Sequence, residues 1–384
     1  MPHRTIRSSL LALVAFLALA VPSGAAAAGS HGGAVVFSKV ITKTTKEVVK
    51  DKEGKPVKDK DGKDEIKETT TTEGGLFAVR EGRLNQLTED PTDTEPAFSP
   101  DGRAIAYVRG GDVFSVRADG SGLRQLTSGS ALDAAPVVSP DGKFVVLERR
   151  ASEGAPADLY RVRALGGDLR VLTSAPQDDH EASFSTDGRA IVFVRSAGQA
   201  NGTTADDIYS MRPSGARQAR LTKTRRIDEF SPRFFAGGIL FSRGESGDTP
   251  SAYADVYTMR SNGKKVKELV AGAGSAYVED VTPQGRTLLF RRDQGLWIKQ
   301  IGPTKARKLT QLPDGSETNA VFSSDGKRVA AFIEADERAQ LSSISVHNGS
   351  ARRLAEGIVP SETSETGGTV TTIGPVITWQ PTYR

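Results

Sequence analysis

Residues 95–127 read EPAFSPDGRAIAYVRGGDVFSVRADGSGLRQLT, and this four-part pattern returns along the chain. Its parts are an apolar run with an SPDG turn, a β-rich run, a third run with an Asp-Gly turn, and a segment ending in Leu-Thr. The repeats are spaced by roughly 40 to 50 residues, the period of a four-stranded propeller blade. The pattern therefore predicts an all-β protein in which one supersecondary unit is copied around a ring.

The SPDG turn explains why the first two parts should be antiparallel strands. Two short apolar and β-branched runs flank it, as in a hairpin. Pro100 presets φ, Asp101 can accept a hydrogen bond from its own backbone, and Gly102 can adopt positive φ without steric cost. With the second Asp-Gly turn and the Leu-Thr segment, each unit is expected to contain four antiparallel strands.

The chain ends predict the number of blades. Later units begin at Ala135, Glu181, Ser231, Val278 and Asn319. Before the first complete unit, residues 34–39, 75–82 and 83–88 supply a second, third and fourth strand but no first. Residues 376–381, VITWQP, would supply that strand and close the ring without a free sheet edge. Seven blades are favoured, and six remain open if the fifth or sixth unit is merged.

The repeated motifs resemble those of the TolB-type, WD-like β-propeller repeat family. The resemblance rests on the SPDG and STDG turns, the IAYVR and IVFVR strands that follow them, and the Leu-Thr endings. It covers nearly all of the chain after residue 28 and implies a propeller fold. It implies no single activity, because propellers serve as hydrolases, sensors and docking platforms. TolB itself carries an α/β domain before its propeller, whereas only a leader and a hairpin are expected here.

The first residues predict export. Arg4 and Arg7 precede an apolar run and then small residues up to Ala28, which is the order of a secretory signal peptide cleaved after residue 28. The apolar run of about twelve residues is shorter than the roughly 20 that a membrane-spanning helix needs. We therefore expect residues 29–384 to form one exported propeller domain, periplasmic or secreted, without a membrane span. The chain has no cysteine, so neither disulfides nor a lipid-attachment cysteine are expected.

Residues 42–73 stand outside the repeat. Their Lys, Asp and Glu residues nearly balance, and Thr and Val flank a central Gly and Pro region. We expect a long, solvated β-hairpin or a partly disordered loop between the second and third strands of the first blade. Residues 57–68 place several acidic side chains as in an EF-hand loop, but Val57 occupies its first position and no flanking helices are visible. Calcium binding is the weaker alternative here.

Two sets of charged residues should meet at one face of the propeller, around the channel mouth. Carboxylates near the start of the first strands are Glu95, Asp133, Glu181, Glu229, Glu279 and Glu317. Residues at the end of the second strands are Lys39, Arg109, Arg149, Arg195, Arg243 and Arg291, with Glu334 as the exception. One interpretation is a belt of partly exposed ion pairs between blades, each contributing about 0.5 kcal/mol. The other is a polar funnel that receives a peptide of a partner protein. Each arginine would then donate two hydrogen bonds to a carboxylate of that peptide.

The sequence contains few groups that could carry out catalysis or bind a metal. Asp179 and His180 belong to the densest cluster of possible metal ligands, but His347, the other histidine of the repeats, lies three blades away, so no metal site is predicted. No G-x-S-x-G motif, cysteine or Gly-rich phosphate loop is present. A pair of channel carboxylates could still hydrolyse a glycoside. No catalytic residue and no cofactor is assigned.

The predicted function is therefore binding or scaffolding of a protein or peptide of the cell envelope or extracellular space. Removal of the two leader arginines lowers the formal charge from +4 to about +2, which is too small to favour nucleic acid. The chain is expected to be a monomer. The alternative function is a carbohydrate- or lactone-hydrolysing enzyme with carboxylates at the channel mouth. In the funnel interpretation, replacing Arg109 and Arg195 with alanine should abolish binding without much effect on the melting temperature.

Overall fold

The computed structural model describes residues 33–80, 82–196, 205–224, 226–245, 254–272, 274–313, 317–335, 338–354, 362–364 and 367–379. The predicted leader, residues 1–28, lies outside these ranges. Within them the regular elements are all strands, and no helix is long and apolar enough to cross a bilayer.

In chain order the strands are β1 (Val35–Val48), β2 (Ile66–Arg80), β3 (Arg83–Gln86), β4 (Asp93–Phe98), β5 (Ala104–Arg109), β6 (Asp112–Arg117), β7 (Arg124–Gln125), β8 (Leu132–Val138), β9 (Phe144–Arg150), β10 (Ala157–Arg163), β11 (Arg170–Val171), β12 (Asp179–Phe184), β13 (Ile191–Arg195), β14 (Asp207–Met211), β15 (Ala219–Arg220), β16 (Ile227–Phe235), β17 (Gly238–Glu245), β18 (Ala254–Met259), β19 (Lys267–Val270), β20 (Ala276–Val281), β21 (Thr287–Arg292), β22 (Gly295–Gln300), β23 (Arg307–Gln311), β24 (Glu317–Phe322), β25 (Arg328–Ala335), β26 (Arg338–Ser345), β27 (Ala351–Arg353), β28 (Glu362–Ser364) and β29 (Gly367–Trp379).

These strands form seven antiparallel sheets, and each sheet is one blade of a β-propeller. Blades 2 to 7 each use four consecutive strands, from β4–β7 to β24–β27. Blade 1 is built from β29, β1, β2 and β3, with the short β28 beyond β29. The prediction of seven blades is confirmed, since the fifth and sixth units each form a sheet of their own.

The last long strand closes the ring. β29 pairs antiparallel with β1, so that Val35 lies opposite Trp379 and Phe37 lies opposite Ile377. Closure of the first blade by the C-terminal strand is therefore confirmed. The strand is longer than the VITWQP segment suggested, because it begins at Gly367 and follows β1 as far as Thr45.

The SPDG turns behave as their sequence predicts. The Ser99 hydroxyl contacts Asp101 Oδ1 (2.6 Å), and the same carboxylate accepts the N–H of Arg103 (3.1 Å). The Gly102 N–H donates to the Ser99 carbonyl (2.8 Å), and Gly102 has φ of 63°. The turn chemistry therefore accounts for this Asp, which needs no catalytic role.

Large buried side chains from the second strands fill the space between blades. In six blades this residue is aromatic and at most 2% exposed: Phe37, Tyr107, Phe193, Phe241, Phe290 and Phe332. Blade 3 has Leu147 at this place, also fully buried. Each such side chain contributes about 1.5–3 kcal/mol by leaving water, which stabilises a ring that has no disulfides.

The first strands of blades 2 to 5 are interrupted by a β-bulge. The bulge residues have positive φ, between 47° and 53°, and are Glu95, Ala135, Glu181 and Ser231. Positive φ is uncommon for residues other than glycine, and a bulge removes residues from the regular ladder. The bulge residues can therefore form bonds to the neighbouring blade rather than along their own sheet.

Residues 42–73 form a projection that we call the arm. β1 and β2 pair along their whole length, up to Val48 and Ile66. The predicted hairpin is thus present, but β29 runs along it as a third strand over much of its length. At the tip, the Asp51 carboxylate accepts the N–H groups of Glu53 and Lys55, both at 2.9 Å.

A second turn at the tip occupies the segment with the EF-hand-like spacing. The Asp59 carboxylate accepts the N–H groups of Asp61 and Lys63, both at 2.9 Å, and Lys58 pairs with Asp64. This is an Asx turn stabilised by its own backbone. Its geometry differs from that of a calcium-binding EF-hand loop, so the calcium interpretation gains no support.

Candidate functional site

The first strands of the seven blades surround a central channel. β4, β8, β12, β16, β20, β24 and β29 contact one another in this order, and β29 contacts β4. The first residues of these strands and the last residues of the second strands lie at one face, which we call the channel mouth. The charged residues selected from the sequence are placed at this face or just inside it.

Bidentate arginine–aspartate pairs stand at the channel mouth. In blade 4, Arg195 donates from Nε to Asp179 Oδ1 (2.6 Å) and from Nη2 to Asp179 Oδ2 (2.7 Å). The same arrangement recurs as Arg109 with Asp93 and Arg149 with Asp133. These three aspartates are at most 3% exposed. We call them the Arg–Asp pairs.

The guanidinium groups of these arginines also lie against aromatic rings. The Arg195 guanidinium lies 5.5 Å from the Phe193 ring centroid and 4.8 Å from that of Tyr209, within cation–π range. Its hydrogen bonds to Asp179 raise the pKa of Arg195 above its usual range. In blade 5, Arg243 is held in a similar way by the buried carboxylate of Glu229 (2.8 Å).

The Leu-Thr endings support these pairs. Thr88 Oγ1 accepts the N–H of Leu76 (2.8 Å) and donates to Asp93 of the next blade. Thr173 Oγ1 likewise accepts the N–H of Leu159 (2.9 Å). The repeated threonine therefore ties the fourth strand to the third, and in blade 1 it reaches the Arg–Asp pair of blade 2.

The observed pairs differ from the predicted belt. They join two strands of one blade, whereas the sequence suggested bonds between blades. In blades 2 and 4 the partner is the first residue of the first strand, Asp93 or Asp179, and not the bulge residue two positions later. Because Arg109 and Arg195 are already bound, we expect their replacement to lower the melting temperature, whereas the sequence predicted little effect on it.

Blade 6 departs from the predicted assignment. Arg292, and not Arg291, is equivalent to the paired arginines, because it lies opposite Ala276 and over the Phe290 ring (5.7 Å). Arg291 lies one position earlier, and its Nε is 3.7 Å from Glu279 Oε1. The assignment of Arg291 to this position was therefore wrong by one residue.

Blades 1 and 7 have other residues at these positions. In blade 1 the Lys39 ammonium lies 5.6 Å from the Phe77 ring centroid. In blade 7, Glu317 and Glu334 lie opposite each other in the strand register.

Inside the mouth, carboxylates bind the backbone of the following blade. The bonds are Glu95 Oε2 to Ala135 N (2.5 Å), Glu148 Oε1 to Glu181 N (2.8 Å), Glu181 Oε2 to Ser231 N (2.5 Å) and Glu279 Oε2 to Ala320 N (3.2 Å). Three of these N–H groups belong to bulge residues, which explains how the bulges are stabilised. The bonds bring acidic side chains from blades 2, 3, 4 and 6 to the channel.

Glu148 is a channel residue that the sequence analysis did not select, as are Asp280 and Arg233. Glu148 lies in β9 at a position where blades 2 and 4 have Val108 and Val194, so a charge in an apolar run was the available signal. The residue is 3% exposed, and its Oε2 has no hydrogen-bond partner among the described residues. Burial raises the pKa of Glu148 to about 7. A carboxyl of this kind is half protonated near neutral pH.

Burial affects the acids on the other side of the channel in the same way. It raises the pKa of Glu279 to about 7 and that of Asp280 to about 6. Arg233 lies near both of them and near Glu181, and burial lowers its pKa. The channel therefore holds several carboxyls around one arginine.

His180 lies beside this acidic group. Its Nε2 is 3.3 Å from Ser196 Oγ and 3.9 Å from Asp206 Oδ2. Burial lowers the pKa of His180, but the nearby carboxylates of Glu181, Glu148 and Asp206 outweigh it and raise the pKa overall. Within the described ranges, no three His, Asp or Glu side chains converge in a way that could hold a metal ion.

Comparison with known proteins agrees with the fold. Residues 75–205 match the family model described as the TolB beta propeller domain. No curated protein matches the chain. Similar solved structures include TolB from Acinetobacter baumannii, with 16% identity, a TM-score of 0.52, and coverage of 81% of this chain and 80% of that one.

Two further structures of similar fold have other printed descriptions. Oligogalacturonate lyase from Vibrio parahaemolyticus has 13% identity and a TM-score of 0.54, covering 76% of this chain and 94% of that one. A puromycin-hydrolyzing peptidase from Mycobacterium tuberculosis has 12% identity and a TM-score of 0.58, covering 82% of this chain and 51% of that one. Likeness at these identities shows a shared fold and no shared activity.

Proposed function

We propose that this TolB-like β-propeller is a binding module that holds a basic segment of a protein partner in the mouth of its acidic channel. The observation that carries the proposal is a group of channel carboxyls opposed by Arg233: Glu148 is buried, and Glu95, Glu181, Glu279 and Asp280 are half-buried. Glu148 and Glu279 ionise as the pH rises through about 7, and a cleft lined by one sign of charge attracts the opposite charge, so the mouth should bind a cation most tightly above neutral pH. A rigid ring with loops at one face also suits the docking of a partner.

Whether the arginines at the channel mouth are already paired determines which charge a ligand should carry. The sequence suggested that Arg109 and Arg195 would bind carboxylates of a peptide. Both guanidiniums are instead occupied by buried aspartates of their own blade. An acidic peptide would therefore meet few open donors at the mouth, whereas a lysine or arginine side chain would meet the half-buried carboxyls of Glu95 and Glu181. The buried Glu148 Oε2, which has no partner among the described residues, lies behind them.

The compartment of the partner follows from the predicted leader. If residues 1–28 direct export, the partner is a protein of the cell envelope or extracellular space. The propeller would act as a single chain, because the seven blades complete their own ring.

Replacing Glu148 and Glu181 with glutamine is expected to weaken binding of a labelled oligolysine peptide by at least tenfold, or about 1.4 kcal/mol. Glutamine keeps the carbonyl oxygens that accept the N–H groups of Glu181 and Ser231, so the fold should be retained. Fluorescence anisotropy measures the affinity. Glu53→Gln with Glu65→Gln, on the exposed arm, changes the charge equally and serves as the control.

The same two variants can be used as baits with envelope and culture fractions, read by mass spectrometry. A partner retained by wild type and the arm variant but lost from the channel variant supports the proposal. Preference for oligoglutamate over oligolysine, or equal losses in both variants, would contradict it.

The second candidate function is hydrolysis of a glycoside or lactone in the channel. It is favoured by the pKa of about 7 of Glu148, which suits a general acid, and by the nearby Glu181. If this function is correct, Glu148→Gln is expected to lower kcat by 100-fold or more, on the order of a lost general acid. A screen of chromogenic glycosides and lactones tests this, and turnover unaffected by the substitution would exclude Glu148 as the acid.

A further inference from the structure

A second charged cavity lies at the face opposite the channel mouth. It is a groove of about 900 Å³ between blades 6 and 7, formed by the ends of their third strands and the turn after β24. Its basic lining residues are Lys299, Lys305, Arg307, Lys327, Arg328 and His347. Asp325 is the one carboxylate of the lining. The volume is within the range of small-ligand pockets, which is about 300–1,000 Å³.

The cations of this groove are held in place by neutral oxygens. Lys299, which is 8% exposed, donates to the carbonyl of Gly302 (3.2 Å) and to that of Thr304. Arg328 donates from Nε to Ser343 Oγ (2.5 Å) and from Nη2 to the Ser343 carbonyl (3.0 Å). Hydrogen bonds of this kind fix the side chains but leave their charge uncompensated.

The groove carboxylate does not neutralise them. Asp325 Oδ1 contacts the Ser323 hydroxyl (2.7 Å) and accepts the N–H of Lys327 (3.0 Å), as in the other SPDG-type turns. Among the described residues, no ion pair within 4.0 Å involves any of the five Lys and Arg side chains of the groove. The groove therefore has an excess of positive charge.

The groove between blades 2 and 3 does not share this charge. A groove of about 450 Å³ occupies the same face between blades 2 and 3. It is lined by one cation, Arg103, with the carboxylates Asp101 and Asp141 and mostly small or apolar residues. The propeller architecture alone thus produces a groove but not its basic lining.

We propose that the groove between blades 6 and 7 binds a small polyanion with closely spaced oxyanion groups, either phosphates or carboxylates. Guanidinium and ammonium groups donate strong, charge-assisted hydrogen bonds to such oxygens. The fixed Lys299 and Arg328 would shape the site, and the exposed Lys305 and Lys327 would close on the ligand. This site is independent of the channel, since it lies at the other face.

Titration calorimetry with tripolyphosphate and with citrate tests the proposal on the whole protein at low and physiological ionic strength. Binding of at least one anion is expected, and the preferred anion identifies phosphate or carboxylate as the recognised group. Lys305→Gln with Lys327→Gln should weaken that binding about tenfold. Lys52→Gln with Lys60→Gln, on the arm, removes the same charge at a distant place. This variant should change the affinity for the anion by less than about twofold.

The His347 imidazole gives a second readout, because it lines the groove. Its NMR signals should shift on addition of the anion, while those of His180 in the channel should not. The proposal is overturned if neither anion binds, if both lysine variants weaken binding equally, or if the His347 signals stay in place.

Discussion

Arg195→Ala is expected to lower the free energy of unfolding by about 3–5 kcal/mol, because it leaves a buried carboxylate without its cation. Asp179 is fully buried and receives both of its arginine hydrogen bonds from this one side chain. The aromatic faces of Phe193 and Tyr209 would lose their cover at the same time. Equilibrium denaturation in urea measures the loss.

Two further variants test whether the loss of stability comes from breaking the Arg195–Asp179 pair. Arg189→Ala removes an arginine whose side chain is 87% exposed and 3.9 Å from Asp187, so a change below about 0.5 kcal/mol is expected. Asp179→Leu with Arg195→Met removes both buried charges and should recover most of the stability. A loss in Arg195→Ala no larger than that in Arg189→Ala would show that the Arg–Asp pairs contribute little.

Stability should fall as the pH rises from about 5 to 7.5. The folded state keeps protons on Glu148 and Glu279 up to a pKa of about 7, whereas the unfolded chain releases them near the ordinary value of 4.5. The unfolded state therefore binds fewer protons in this window, and the free energy of unfolding decreases with pH, by on the order of 2–3 kcal/mol per carboxyl. His180 acts in the same direction, because its pKa is raised in the folded state.

Surface carboxylates do not cancel this effect. Asp141 and Asp187 have pKa values below their ordinary 3.8, so their contribution is lost only at lower pH. Melting curves at constant ionic strength should show the midpoint decreasing by on the order of 5 °C across the window. Glu148→Gln with Glu279→Gln should flatten the profile and raise the midpoint at pH 7.5. A wild-type midpoint that is constant or rises with pH would contradict the protonated state of the channel.

The fold could be predicted from the sequence because its signals are local and repeated. Each SPDG turn contains the side-chain oxygen and the glycine that its own conformation needs, so one turn can be interpreted without knowledge of the rest. Seven repetitions then predict a ring, and the resemblance to TolB-type propellers is confirmed. Export by residues 1–28 stays a prediction.

The candidate site was predicted less well because it depends on register. A bulge after Thr94 or His180 shifts which residue of the strand faces the arginine, and no local motif marks that shift. The partners of the arginines were therefore displaced by two residues in blades 2 and 4, and Arg291 by one, whereas Asp133 and Glu229 were selected correctly. Glu148 escaped notice because its neighbours come from two other blades.

The pairing of β29 with β1 also has a consequence for synthesis. A ribosome makes β1 and β2 early, but the strand that covers β1 is made after all the other described strands. Until then the nascent chain carries an unpaired edge, to which a strand of another molecule could add. Pairing of Phe37 with Ile377, at opposite ends of the sequence, is also expected to slow folding. We therefore expect protection of that edge to matter throughout translation, and a chain terminated before β29 would leave it uncovered.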